Sequence, residues 1–328
     1  MDHRTRIERV INREKTDHPP IAFWRHFPVD DQNALSLAKS TLAFQNQFDL
    51  DLVKISPSSS FCLEDWGAID VWRGNPEGTR DYLTPVIVNP EDWNNLKILD
   101  PNKGRLGEQL ECLKIIKRNL NSDTPFIQTI FSPLAQAKNL VGKNNLQNFI
   151  RKHPDQLMAG LEVITQSTMR FIEECGHIGI DGIFYALQFA SYDLVSEKEF
   201  LSFEKYFDKK LFAILENFWL NLLHVHGKNI MFDSVRDYPF QIINWHDQET
   251  EPNLRSGKNK TDHAVCGGVG RIETMVLGDA PQIIHEIDCA IDQTEGLGLI
   301  IGTGCVLPQT TPIGNIQSAV EHSRQTSI

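Results

Sequence analysis

Apolar residues along this chain follow two rhythms. Short, nearly continuous apolar runs occur at residues 21–27, 50–56, 126–132, 182–189, 221–225, 241–245, 264–269 and 297–302. Each has the length and composition of a strand buried on both faces. Between them the spacing becomes helical. Phe200, Phe203, Phe207, Leu211, Ile214 and Phe218 share one helical face, with Ser196 and Glu199 placed as a capping box ahead of them. Leu157, Leu161, Ile164, Thr168, Ile172 and Cys175 form a second stripe, which Gly176 is expected to end. Thr311 is expected to cap a third helix, with Pro312 at its first position and Ile313, Ile316 and Val320 behind it. Eight strands alternating with helices predict a single (β/α)8 TIM barrel over residues 1–328, because right-handed crossovers keep adding parallel strands until the sheet closes. An open, doubly wound sheet is the alternative.

Two stretches break the rhythm. Between Ser56 and Phe126 the chain is elaborated, with Trp66, Trp72, Tyr82 and Trp93 among glycines and prolines. A long connection after the second strand belongs either to the binding face or to a surface flap packed by its own aromatics. Residues 248–262 are polar and predict a mobile loop.

Composition narrows the function. Against 32 Lys+Arg stand 43 Asp+Glu, a formal net charge of −11, so nucleic acid and anionic membranes are poor partners and small molecules better ones. No window is apolar enough to span a bilayer, and the start is charged, so a cytoplasmic location is expected. The six cysteines are scattered without a CxxC motif, the usage of reduced thiols.

In a parallel barrel, chemistry collects at the carboxyl ends of the strands. Those ends offer Arg25 and His26, Ser56, Ser132, Gln188, His224 and His226, His246 and Asp247, Cys266, and Cys305. His224 and His226 lie two residues apart on one strand, so both imidazoles face the same way. Cys305 follows the last strand and is expected to converge on them. Two histidines and one cysteine make a zinc site with a fourth place open for substrate. His-x-His also arises by chance, and His246 and Cys266 are weaker candidates beside it.

The residues now accumulate into a resemblance. Arg6-Ile-Glu-Arg-Val-Ile, Pro-Pro-Ile-Ala-Phe-Trp-Arg25, Phe-Ser-Pro-Leu, His224-Val-His-Gly, Ile243-Asn-Trp-His-Asp and Ile301-Gly-Thr-Gly-Cys-Val-Leu-Pro-Gln-Thr-Thr-Pro together resemble the uroporphyrinogen decarboxylase superfamily. That superfamily includes zinc-dependent methyltransferases acting on corrinoid proteins and thiols. The resemblance implies a (β/α)8 barrel over nearly the whole chain. In the decarboxylase branch two arginines four apart and an aspartate after the second strand hold the tetrapyrrole. Here Arg25 matches the first, but position 29 is Val and the segment Lys54-Ile-Ser-Pro-Ser has no aspartate. In the methyltransferase branch a His-x-Cys pair and a late Cys hold zinc; His224 and Cys305 match, with His226 in place of the first cysteine.

The resemblance therefore implies an enzyme moving a methyl group between a corrinoid, supplied by a partner protein, and a thiol. Zinc would sit on His224, His226 and Cys305. Arg25 and Asp247 are the expected catalytic residues, and Arg25, Lys54, Ser56 and Gln188 the expected substrate contacts. Two other readings are a cofactor-free uroporphyrinogen decarboxylase and a barrel that only binds a corrinoid or tetrapyrrole.

Overall fold

The computed structural model describes residues 1–142 and 145–328. Among them nine strands occur: β1 (Val53–Ile55), β2 (Ile69–Val71), β3 (Asp81–Thr84), β4 (Phe126–Phe131), β5 (Gly182–Leu187), β6 (Leu222–Val225), β7 (Ile242–Trp245), β8 (Ala264–Val269) and β9 (Leu299–Thr303). All but β2 and β3 form one parallel sheet in the order β1-β4-β5-β6-β7-β8-β9. Every residue of β1 and β4 through β9 is buried. This is why these runs read as continuously apolar: one face meets the enclosed interior and the other the covering helices.

The first apolar run is the exception. Residues 21–27 do not form a strand; Ile21 makes an isolated parallel bridge to Ile301. Ala22 N donates to Ile301 O at 2.9 Å and Asp51 N to Ile21 O at 3.0 Å, so the segment touches the outermost strand β9 on one side and the approach to β1 on the other. Asp51 explains why no ladder grows. Its carboxylate takes the Ile21 N–H at 2.8 Å and is itself held by Arg6 and His3 from the N-terminal helix His3–Ile11. The architecture is a curled, seven-stranded half-barrel with a bridging segment.

Helices form where the stripes predict them, with shifted ends. Helix Pro154–Ile178 runs through Gly176, and Gly179, at φ 82°, supplies the left-handed turn that ends it. The Ser196–Glu199 capping box is present in both directions, and the helix it starts widens to a π-turn over Leu201–Lys205. Helix Ile313–Gln325 begins one residue later than expected: Pro312 occupies the cap position, and the buried Thr311 hydroxyl has no partner.

The polar segment 248–262 contains helix Leu254–Lys260, capped by Asn253 accepting from Ser256 N at 2.9 Å. It is not an open loop, because Leu254 is buried and Gly257 sits flat on the Trp245 ring; a Cβ there would fall 2.4 Å from that ring. The long connection after β1 carries the antiparallel hairpin β2–β3 and three helical segments, Glu64–Trp66, Pro90–Asn95 and Gly104–Asn119. Trp93 is buried edge-on against Phe149 and over Gly160, and Trp66 donates to Lys97 O at 2.8 Å, so both serve packing. Among the described residues no helix is long and apolar enough to cross a membrane.

Candidate metal centre

Register assembles the site. β6 pairs with β7 so that Leu222 lies opposite Ile242 and His224 opposite Asn244. The motif His-x-His on one strand thus runs level with Asn-x-His on the next. Paired residues in a parallel sheet point to the same side, so His224 stands beside Asn244, and His226 beside His246. β9 delivers Cys305 from the far side. Gly304 permits this approach: a Cβ there would lie 2.6 Å from the His246 Cα and 2.8 Å from Trp245 O.

Ligand atoms of His224, His226, His246 and Cys305 all lie within 4.8 Å of one another. The Cys305 Sγ is 3.8 Å from His224 Nε2 and 3.8 Å from His226 Nδ1, and His246 Nε2 is 3.3 Å from His226 Nδ1. Tetrahedral zinc with Zn–N near 2.05 Å and Zn–S near 2.3 Å separates its ligands by about 3.4 to 3.6 Å. The donors fit such an ion in type and spacing. His224, His246 and Cys305 are buried and His226 partly exposed, so the cluster opens to one side.

The protonation pattern suits a cation. Asn244 Nδ2 donates to Cys266 O (2.8 Å) and Thr303 O (3.1 Å), which fixes its Oδ1 as the acceptor facing His224 Nδ1 at 2.6 Å. His224 must therefore carry its proton on Nδ1 and present the Nε2 lone pair to the cluster. Burial lowers the His224 pKa, against the opposing pull of Cys305. Burial works against ionisation of Cys305, but the three imidazoles of His224, His226 and His246 around its sulfur outweigh it and hold the thiol well below its usual range. For His246 burial is again opposed, by Cys305 and then Glu249, and its pKa is raised.

The other expected residues divide. Lys54 is buried in the interior with Nζ 3.0 Å from Ser56 Oγ and 4.6 Å above the Phe184 ring, which also stacks on His224. Burial pushes its pKa down to about 7, and no carboxylate pairs with it among the described residues. Ser56 is thus a partner of Lys54. Arg25 is half-buried, donates to Gln309 Oε1, and likewise has no carboxylate partner among the described residues. Gln188 follows β5 level with His226 and faces Lys138 at 3.4 Å. Asp247 turns away from His246: its carboxylate accepts from Gly268 N at 3.0 Å and Gln248 at 2.8 Å, and burial raises its pKa to about 6. The carboxylate facing His246 Nδ1 is Glu249, at 3.5 Å. Cys266, buried beneath Gly302, stays outside the cluster and its thiol is pushed up by burial.

The chain as a whole resembles known proteins. The family model described as Uroporphyrinogen decarboxylase (URO-D) matches residues 2–326. The chain belongs to the URO-D family. Within it, the chain is 25% identical over 301 residues to the methylcobamide:CoM methyltransferase MtaA of Methanosarcina barkeri, covering 90% of this chain and 85% of that one. It is 22% identical to the methylcobamide:CoM methyltransferase MtbA of Methanosarcina acetivorans, covering 92% and 86%. A solved structure of a methyltransferase from Methanosarcina mazei superposes with a TM-score of 0.85 at 21% identity, covering 98% of both chains, and shares the fold. The decarboxylase reading has no counterpart among these relatives.

Proposed function

We propose that this URO-D family chain is a zinc-dependent methyltransferase that moves a methyl group between a corrinoid carried by a partner protein and a small thiol. The observation that carries the reading is the convergence of His224, His226, His246 and Cys305 on one ion-sized space. When bound, zinc lowers a thiol's pKa and supplies a thiolate at neutral pH. The transfer itself forms a sulfur–carbon bond, breaks the cobalt–carbon bond with its electron pair left on cobalt, and releases the thiol proton.

The chain's own residues bind and orient. Asn244 fixes the His224 ring. Four donors close a zinc site, whereas three leave a place for substrate; we take His224, His226 and Cys305 as the permanent set and His246 as the donor that yields. Lys54, buried near the cluster without a carboxylate, is suited to an acidic group on the thiol, and Arg25 extends that positive wall. An anion arriving beside Lys54 restores the proton that burial disfavours. Asp247, expected to be catalytic, is better read as a brace for the turn at Gly268. Finally, we read residues 20–22, bonded to both Ile301 and Asp51, as the eighth stave of a closed barrel.

The test is anaerobic demethylation of methylcobalamin by a thiol, followed by the change in corrinoid absorbance. The reading expects protein-dependent, saturable loss of methylcobalamin. Protein with a full metal complement that leaves the rate at the buffer value with thiols of every charge type would overturn it.

A further inference from the structure

We infer that Arg271 is a positioning residue that couples the β2–β3 hairpin to His246, so that seating of the hairpin and orientation of that histidine change together. The inference rests on the metal-centre reading above for His246's importance, but not for the coupling itself.

The hairpin tip lies on the far side of the chain from β7 in sequence and reaches it in space. Glu77, at the tip, pairs with Arg271 Nη1, a contact between residues 194 apart. Arg271 Nε in turn donates to Glu249 Oε1 at 2.9 Å, and that same oxygen stands 3.5 Å from His246 Nδ1. Arg271 is only 12% exposed along its side chain and holds both carboxylates at once. A planar guanidinium with two partners fixes their relative positions better than a point charge can.

Around this pair the tip is closely fitted. Gln309 N donates to Pro76 O at 2.6 Å, and Gln309 Nε2 to His26 O at 2.7 Å. Gly78, at φ 80°, packs so tightly that a Cβ would fall 2.6 Å from the His26 Cβ. Arg80 anchors the hairpin base to Pro28 O and Asp70, each at 2.7 Å. Apart from Gly78 and Glu77, residues 73–79 are exposed. The tip thus rests on a few polar contacts with little apolar burial, which is the make-up of a segment that opens locally.

Among the described residues the Glu249 carboxylate meets Arg271 and His246 alone. When Glu77 departs, Arg271 loses the contact that holds it in its bridging position, and the Glu249 carboxylate loses its fixed placement against His246. Coupling of this kind is reciprocal: loosening either end loosens the other.

The experiment compares wild type, Glu77→Gln and Glu77→Asp by hydrogen exchange of metal-free protein at residues 73–79 and 246–250. Zinc release to a chelator is then measured on loaded protein. E77Q is expected to speed exchange roughly threefold in both segments and zinc release about tenfold, with E77D restoring most of each. Faster exchange confined to residues 73–79, with residues 246–250 unchanged, overturns the coupling. So does unchanged exchange at both. If the wild type takes up no zinc, the metal-centre reading fails while the exchange data still decide the coupling.

Discussion

Replacing Asn244 with Leu removes an amide that three groups share while keeping side-chain bulk. His224 Nδ1–H loses its acceptor, and the carbonyls of Cys266 and Thr303 lose a donor, all at fully buried positions. The carbonyls can accept from other donors, but the buried Nδ1–H left without an acceptor costs roughly 1–3 kcal/mol, so the metal-free protein should lose at least about 1 kcal/mol. The second effect is on the ion. Without Asn244 the His224 ring is free to rotate and to move its proton to Nε2, the nitrogen that faces Cys305. Partners of this kind are worth roughly 10–100-fold in metal affinity. Urea unfolding of metal-free protein reads the first quantity and competition against a zinc buffer the second. An N244L protein that unfolds within about 1 kcal/mol of wild type, or binds zinc equally tightly, would refute the tautomer argument.

Two further outcomes follow from buried charges. Lys54→Met should weaken binding of acidic thiols roughly tenfold or more, the worth of a hydrogen bond to a charged group, while leaving neutral thiols unaffected. Equal effects on both, measured as KM, would remove Lys54 from substrate binding. Glu204, on the π-turn, is fully buried with no cationic partner among the described residues, and burial followed by the Asp208 charge raises its pKa well above 4.5 against a hydrogen bond from Ser132. The folded state therefore binds the proton more tightly than the unfolded one. Its contribution is full below about pH 4.5 and is lost as pH rises toward the folded value, at up to about 1.4 kcal/mol per unit. Glu204→Gln should accordingly gain stability on wild type between pH 5 and pH 7 in urea titrations; a difference independent of pH would contradict this.

Much of this was legible beforehand, for physical reasons. Fully buried strands must be apolar throughout, so seven runs declared themselves. The run at 21–27 is shortened to a bridge because Asp51 captures the Ile21 N–H, a long-range side-chain contact that no local pattern carries. Residues 248–262 looked like a loop because helix Leu254–Lys260 presents little more than Leu254 and a glycine to the core. Strand-end position singles out His224, His226 and Cys305, which the structure brings together with His246. Strand-end position alone does not separate His246 from Asp247, since only register shows which of two neighbours turns toward the cluster. A signal was available: Asn244-x-His246 sits at the same offset from its strand start as His224-x-His226 does from its own. Glu249 and Arg271, on turns beyond β7 and β8, left no such trace.

The central claim is that four side chains from β6, β7 and the end of β9 grip one cation. Metal analysis of protein purified without chelator tests it directly. The account predicts about one zinc per chain, falling steeply in His224→Ala and in Cys305→Ala. Wild-type protein that retains less than about a tenth of an equivalent, before and after incubation with zinc, and is unchanged by either substitution, would contradict it.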